Sequence, residues 1–472
     1  MDEDQRAIDI EFEELKVRWN DYISRFQELA PNVYELKVNV FYELVSPVRT
    51  KKALVEMARE TRPFMSSKLW LILSKFMEFM KKLPGAEGEN YRVVYENMSP
   101  AGLVKRLLAK RPIVFLNPWD EHVLRNETLT MNRSSNNWNK VATTLDSLAN
   151  QPFLREYISY DEMLISACVN MSTPTFFVSD GSLRNPQAKP TSPFISEGIL
   201  CGLVGVRLEK GGFMEHRFVF PRDKNSLNFD DVHHSDAFWI ENICPQAFPE
   251  GKIPTQVEIL ASPETYRNIY KDGVNVVYFK RRLSFSVIPF IKEAENRGIE
   301  RNRQIVASVP PIGAGVWKGK VKSQTIVDLI VSVVLEYLDN ELNVANLYYL
   351  VGLYLPVTNR SVYSTFTPRN QIRSITVSPT DTRIVVAFNG TDDTITLFNT
   401  WRYVAQLLPE GFKTCLVVAG YAWDGNSYPG NEYWNDGFGS FDPQAALCSG
   451  IGQFQNPEVN IKLADPERIK VY

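Results

Sequence analysis

Residues 303–319 read Arg303-Gln-Ile-Val-Ala-Ser-Val-Pro-Pro-Ile-Gly-Ala-Gly-Val-Trp-Lys-Gly319, and the apolar segment Ser323–Leu338 follows them. The run Ile305–Val309 is rich in β-branched residues and lacks polar alternation, the pattern of a strand buried on both faces. Two prolines and three glycines then break the run, and the next long apolar stretch reads as a helix. Strand, glycine-rich turn and helix in that order form one unit of a parallel α/β layer. Apolar runs at Val257–Leu260, Val274–Phe279, Ile384–Phe388 and Leu416–Ala419 predict further strands, with helices over Pro289–Asn296 and Thr400–Leu408 to cover them. The expected fold class is α/β, a three-layer α/β/α sandwich.

Towards the N-terminus the pattern changes. Phe12, Leu15, Trp19, Tyr22, Ile23, Phe26 and Leu29 recur at threes and fours, one face of a helix over Ile10–Leu29. Ser66 and Ser67 open a second helix that runs to Leu83 before Pro84-Gly85. Shorter helices are expected over Ser99–Lys110 and Thr143–Tyr157. Residues 1–155 thus read as a mostly helical region and 156–472 as the α/β domain. Between about 171 and 254 the domain carries a β-rich, loop-rich insertion, with strands at Thr175–Val178, Leu200–Leu208 and Phe213–Phe220.

Composition narrows the class. The 472 residues are 44% hydrophobic and 23% charged, which suits a folded protein with a sizeable core. A formal net charge of −3 offers no general attraction to nucleic acid or anionic lipid, so neither is an expected partner. Cys168, Cys201, Cys244, Cys415 and Cys448 are scattered and make no CxxC pair, so neither a disulfide framework nor a zinc knuckle is indicated. The four histidines form no metal-binding motif, and no metal or cofactor is expected. The acidic stretch Met1–Glu14 has no signal-peptide character and no apolar run approaches membrane-spanning length. A soluble protein of a reducing, cytoplasmic compartment fits these features.

Two segments carry chemistry. In the first, Gly313, Ala314, Gly315, Val316 and Trp317 form a turn where backbone N–H groups can approach and hold a diphosphate, although the same glycines also suit a purely structural strand-to-helix turn. In the second, Asp424, Glu432, Asp436 and Asp442 stand among Tyr421, Trp423, Tyr428, Tyr433, Trp434, Phe438 and Phe441. Aromatic rings can stack on a base or shield a sugar, and carboxylates in such a setting can serve as bases. A packed surface loop would account for the composition with no chemistry at all, and Asp442-Pro443 also reads as a helix cap.

The string Pro310-Pro311-Ile312-Gly313-Ala314-Gly315-Val316-Trp317 resembles the second ligand loop of macrodomains. Ile384-Val-Val-Ala-Phe-Asn-Gly-Thr-Asp-Asp resembles their early strand with its adenine-binding Asp, and Leu416–Trp434 their catalytic-loop strand. These pieces come in a rotated order, as in a circular permutation. Over roughly Val257 to the end, and most specifically over Ala419–Pro443, the chain resembles the atypical macrodomain ADP-ribosylhydrolases of the Legionella effector MavL type, relatives of poly(ADP-ribose) glycohydrolases.

The resemblance implies a macrodomain-like fold that removes ADP-ribose from arginine of a modified protein, with ubiquitin the known target type. It would place catalysis on Asp424, Glu432 and Asp442. ADP-ribose, as ligand or product, would bind through Gly313, Ala314, Gly315, Val316, Trp317, Asn389, Asp392, Trp423, Asn426 and Tyr433. Asn389-Gly-Thr-Asp392 is equally good turn chemistry. The glycine triplet and paired glutamates of the polymer-cleaving relatives are missing, which counts against cleavage of the polymer. A bacterial effector of this type would act in a host cytosol. A reader that binds ADP-ribose without turning it over is the alternative.

Overall fold

A computed structural model describes residues 3–29, 50–112, 114–116, 118, 120–124, 138–143, 154–177, 195–222, 234–356, 372–378, 381–388, 415–427 and 452–472. Nine strands form its main sheet: β1 (Arg62–Met65), β4 (Asn170–Phe177), β5 (Ile195–Val204), β8 (Ile305–Ser308), β9 (Leu350–Leu355), β10 (Ile372–Ser378), β11 (Asp381–Phe388), β12 (Leu416–Trp423) and β13 (Lys470–Val471). Two short hairpins stand apart, β2 (Val114–Leu116) with β3 (Glu121–Val123), and β6 (Tyr270–Lys271) with β7 (Val274–Asn275). Across the main sheet the order is β10-β11-β9-β8-β12-β5-β4-β1-β13. The five central strands from β11 to β5 are parallel, and antiparallel pairs flank them.

The central strands are apolar because both faces are covered. Ile305, Leu350, Leu416, Val418, Leu203 and Val204 are completely buried. The 26-residue helix Val276–Arg301 crosses one face, packing against β1, β4, β5, β8, β9 and β12, and the helix Ser323–Leu338 packs beside it. The result is an α/β sandwich. From the N-terminal region β1 enters the sheet between β4 and β13, so both ends of the chain contribute to one layer. Tyr472 closes this seam: its N–H donates to Met65 O at 3.0 Å, and its carbonyl accepts from Ser67 N–H.

Most expected elements are present, including the helices Glu3–Leu29, Ser67–Met80 capped by Ser66, and Pro100–Ala109 capped by Ser99. Three strand expectations are overturned. Val257–Leu260 lies in the helix Gln256–Ala261, where a capping box of Thr255 and Glu258 satisfies free N–H groups and outweighs the β-branched content. Val274–Phe279 gives only two strand residues before Asn275 accepts from Tyr278 N–H at 3.0 Å and starts the long helix. Within Phe213–Phe220, His216–Val219 is a helical turn, its entry fixed by buried Glu215, which takes Arg282 Nε at 3.0 Å. Strand β5 ends at Val204, so Gly205–Leu208 leaves the sheet. The helix expected at Thr400–Leu408 and most of Thr143–Tyr157 fall outside the described residues.

Candidate functional site

The C-terminal ends of the parallel strands, Phe388, Leu355, Ser308, Trp423 and Val204, form one edge of the sheet. Ligands of open parallel sheets sit above this edge, where loops and helix starts present N–H groups. The glycine turn leaves β8 here. Asp424 leaves β12, the neighbour of β8, and Gly205–Lys210 leaves β5 on the far side of β12. Topology alone thus brings Gly313–Trp317 and Trp423–Asn426 together. Asn389, Asp392, Glu432, Tyr433 and Asp442 lie outside the described residues.

The glycine turn has an inner and an outer side. Gly313 adopts φ +76°, a left-handed conformation, and its backbone touches Gly205 and Val206. Trp317 is partly buried against the core, with its carbonyl accepting from Leu208 N–H at 2.8 Å. Gly315 faces open space and Val316 is 84% exposed, so the outer side is available to a ligand. Ser323, first residue of the following helix, donates to Ala314 O at 2.8 Å and accepts from Lys318 Nζ at 3.1 Å. These bonds tie the turn to the helix start.

Asp424 is held as an acceptor. Its Oδ1 takes the N–H groups of Asn426 and Ser427 at 2.8 and 2.9 Å, and its Oδ2 takes the Ser427 hydroxyl. Gly425 makes this turn possible at φ +66°, since any side chain there would meet Val204 at 2.7 Å. Below it, Ser166 Oγ donates to Gly425 O at 3.2 Å and accepts from Arg111 Nη2 at 2.7 Å. The Arg111 guanidinium also lies 4.4 Å from the Trp423 ring centroid. Two polar atoms here, Trp423 Nε1 and Asn426 Oδ1, are buried without a hydrogen-bond partner. Such orphans cost about 1–3 kcal/mol each unless a ligand or water satisfies them.

Sequence reasoning missed one carboxyl at this edge. Glu209 follows β5, and its side chain is only 7% exposed, with Oε1 accepting from Arg207 Nε at 2.9 Å. Burial raises its proton affinity; Arg207 pulls against this, and the charges of Asp120 and Asp424 add to the rise. The available signal was Val204-Gly205-Val206, a strand end with a glycine of its own. Among the described residues no group of three His, Cys, Asp or Glu side chains is arranged to hold a metal ion.

A family model described as ADP-ribosylhydrolase MavL-like matches residues 35–472. Over 420 residues the chain is 26% identical to the Drosophila melanogaster protein named ADP-ribosylarginine hydrolase CG3568, an alignment spanning 84% of this chain and 75% of that one. It is 25% identical over 387 residues to ADP-ribosylarginine hydrolase CG2909 of the same organism, spanning 79% and 71%.

Proposed function

The chain belongs to the MavL-like ADP-ribosylhydrolases, and from that premise we propose that it splits the N-glycosidic bond between ribose and an arginine nitrogen of a modified protein. Both Drosophila relatives are named for action on ADP-ribosylarginine, which supports arginine as the modified residue. The observation that carries the reading is the emergence of the glycine turn and of Asp424 from neighbouring parallel strands at one sheet edge. A diphosphate on the outer side of the turn would be held by backbone N–H groups of Gly313, Ala314, Gly315 and Val316. The ribose it carries would then lie towards Asp424.

Breaking the bond builds oxocarbenium-like charge on the ribose, so a fixed carboxylate beside it lowers the barrier. Asp424 suits that task because three accepted hydrogen bonds, from Asn426 N–H, Ser427 N–H and the Ser427 hydroxyl, hold its carboxyl in place. We assign Glu432 to orienting and deprotonating the attacking water, and Asp442 to the ribose hydroxyls. Trp423, Tyr433, Asn389, Asp392 and Asn426 complete the ligand set in this reading, and the orphan polar atoms of Trp423 and Asn426 support their part in it. A permuted macrodomain plan accounts for the rotated order of these loops. Ubiquitin is the first substrate to try.

The test is release of free ADP-ribose from arginine-ADP-ribosylated ubiquitin and from a second modified protein, with ADP-ribose binding followed by calorimetry. Release by the wild-type chain that is lost in folded Asp424→Ala, Glu432→Ala and Asp442→Ala supports the assignment. Binding without release from either substrate would make the protein a reader, and neither binding nor release would overturn the proposal.

A further inference from the structure

Asp424 stands between Trp423 and Gly425, and Arg111 reaches both of these neighbours, one directly and one through a hydroxyl. Arg111 belongs to the N-terminal region, two residues past the helix Pro100–Ala109, and is completely buried. Its guanidinium lies 4.4 Å from the Trp423 ring centroid, and its Nη2 donates to Ser166 Oγ at 2.7 Å. Ser166, also completely buried, donates in turn to Gly425 O at 3.2 Å. It ends the helix Tyr160–Ser166, which a capping box of Ser159 and Glu162 starts and Arg106 pins by its Nε on Glu162 Oε1 at 2.6 Å. Ile158 N–H donates to Lys110 O at 3.0 Å, so the residue before Arg111 is tied to the same stretch of chain.

The contact with Gly425 passes directly to the carboxyl. Gly425 O and Asn426 N–H belong to one peptide group, and in a planar trans peptide these two dipoles point opposite ways. Holding the oxygen on Ser166 therefore aims the Asn426 N–H, which donates to Asp424 Oδ1 at 2.8 Å. Guanidinium, hydroxyl and peptide each donate towards Asp424, so the bonds run in one direction and polarise one another. A buried guanidinium is an expensive way to fill space, since an apolar side chain of similar volume packs at lower cost. Its contacts with both neighbours of one carboxyl give it a task beyond packing.

We propose that Arg111 is a positioning residue for Asp424, acting through the Ser166 hydroxyl and the Gly425–Asn426 peptide, with the Trp423 ring held against its guanidinium. The inference rests on the hydrolase reading given above, in which Asp424 stabilises charge on the ribose. It makes the N-terminal region part of the site: Arg111 and Ser166 set the direction of a carboxyl that lies more than 250 residues further along the chain.

Ser166→Ala removes the middle of the relay, and Ser166→Cys repeats the test at similar volume with a weak donor. In single-turnover release of ADP-ribose from arginine-ADP-ribosylated ubiquitin, or from the second modified protein, both variants should lose about tenfold in kcat. Their ADP-ribose affinity by calorimetry should stay within about threefold of wild type. Combined with Asp424→Asn, Ser166→Ala should cost no more than about twofold further, because its effect passes through the Asp424 carboxylate. Arg111→Lys, whose ammonium can still donate to Ser166, should keep more of the rate than Arg111→Met, which has no donor. If wild type releases ADP-ribose and Asp424→Asn does not, while both Ser166 variants keep wild-type kcat, the inference fails alone. A tenfold loss that recurs in full on top of Asp424→Asn would overturn it, since Ser166 would then act elsewhere. Loss of ADP-ribose binding along with rate in both Ser166 variants would overturn it in favour of a packing role. If wild type releases nothing, the hydrolase reading and this inference fall together.

Discussion

Gly205 and Gly313 meet backbone against backbone: a Cβ on Gly205 would lie 2.3 Å from the Gly313 nitrogen. This contact locks the segment after β5 to the turn after β8, across the end of β12 that lies between them in the sheet. Both partners are main chain, so neither can move aside cheaply. Gly205→Ala should therefore displace the glycine turn, lowering stability by about 1–3 kcal/mol and weakening ADP-ribose binding at least tenfold. Gly315→Ala is the comparison, since nothing lies within 4 Å of that position and the fold should tolerate it. Thermal melts and calorimetry on the two variants check the pair of outcomes; equal behaviour would separate the Gly205 contact from the ligand site.

Asp424→Asn retains the shape and the acceptor oxygen that Asn426 and Ser427 N–H groups use, and removes the charge. A residue needed only for the turn would survive this change. A residue that stabilises positive charge on the ribose would not, and the expected loss in kcat is about 100-fold or more with little change in melting temperature. Single-turnover release of ADP-ribose measures it, and wild-type kcat in the variant would remove Asp424 from the chemistry.

These two tests touch the part of the molecule that was most legible beforehand. Ile305–Ser308 and Leu416–Trp423 announce themselves because a strand covered on both faces has no polar alternation to blur it, and Gly313 stands where φ is +76°. Val257–Leu260 and Val274–Phe279 misled for the opposite reason. Short β-branched runs look alike in strands and in helices, and the deciding information sat outside them, in the Thr255–Glu258 capping box and the Asn275 cap. Glu209 was invisible for a different cause. Its setting is assembled from Asp120, Arg207, Lys210 and Asp424, and only the sheet order brings β12 beside β5.

Away from the site, Glu293 is completely buried between two arginines. Arg62 Nε approaches its Oε1 at 3.0 Å, Arg297 Nε at 2.7 Å, and the Tyr472 hydroxyl donates to Oε2. Burial alone would raise its proton affinity, but Arg297 and Arg62 outweigh burial and hold the carboxyl below its ordinary value of 4.5. A depressed carboxyl contributes stability above its unfolded value and loses it as pH falls through the folded one. Glu293→Gln should cost about 3–5 kcal/mol at neutral pH, because two guanidinium groups lose their buried counter-charge. Below pH 4.5 the wild type should converge towards the variant, and melting temperatures taken from pH 7 downwards would reveal any failure to converge.

His216 governs a different part of the acid range. Its ring is largely buried, Nδ1 accepts from Gly212 N–H at 3.2 Å, and the Phe220 ring centroid lies 4.5 Å away. Burial first, and the Lys320 charge second, push its pKa down to about 4 from an ordinary 6.5. The folded state therefore refuses a proton that the unfolded chain accepts below 6.5. Stability from this group is complete above pH 6.5, falls as pH drops towards about 4, and changes no further below that. The full loss is of order 3 kcal/mol. His216→Gln keeps an acceptor for Gly212 and cannot titrate, so its melting temperature should fall less than wild type between pH 6.5 and 4, and in parallel with it at lower pH. That window separates it from Glu293, whose contribution begins to fade only below pH 4.5. Parallel curves between pH 6.5 and 4 would mean that His216 already takes up its proton in the folded protein.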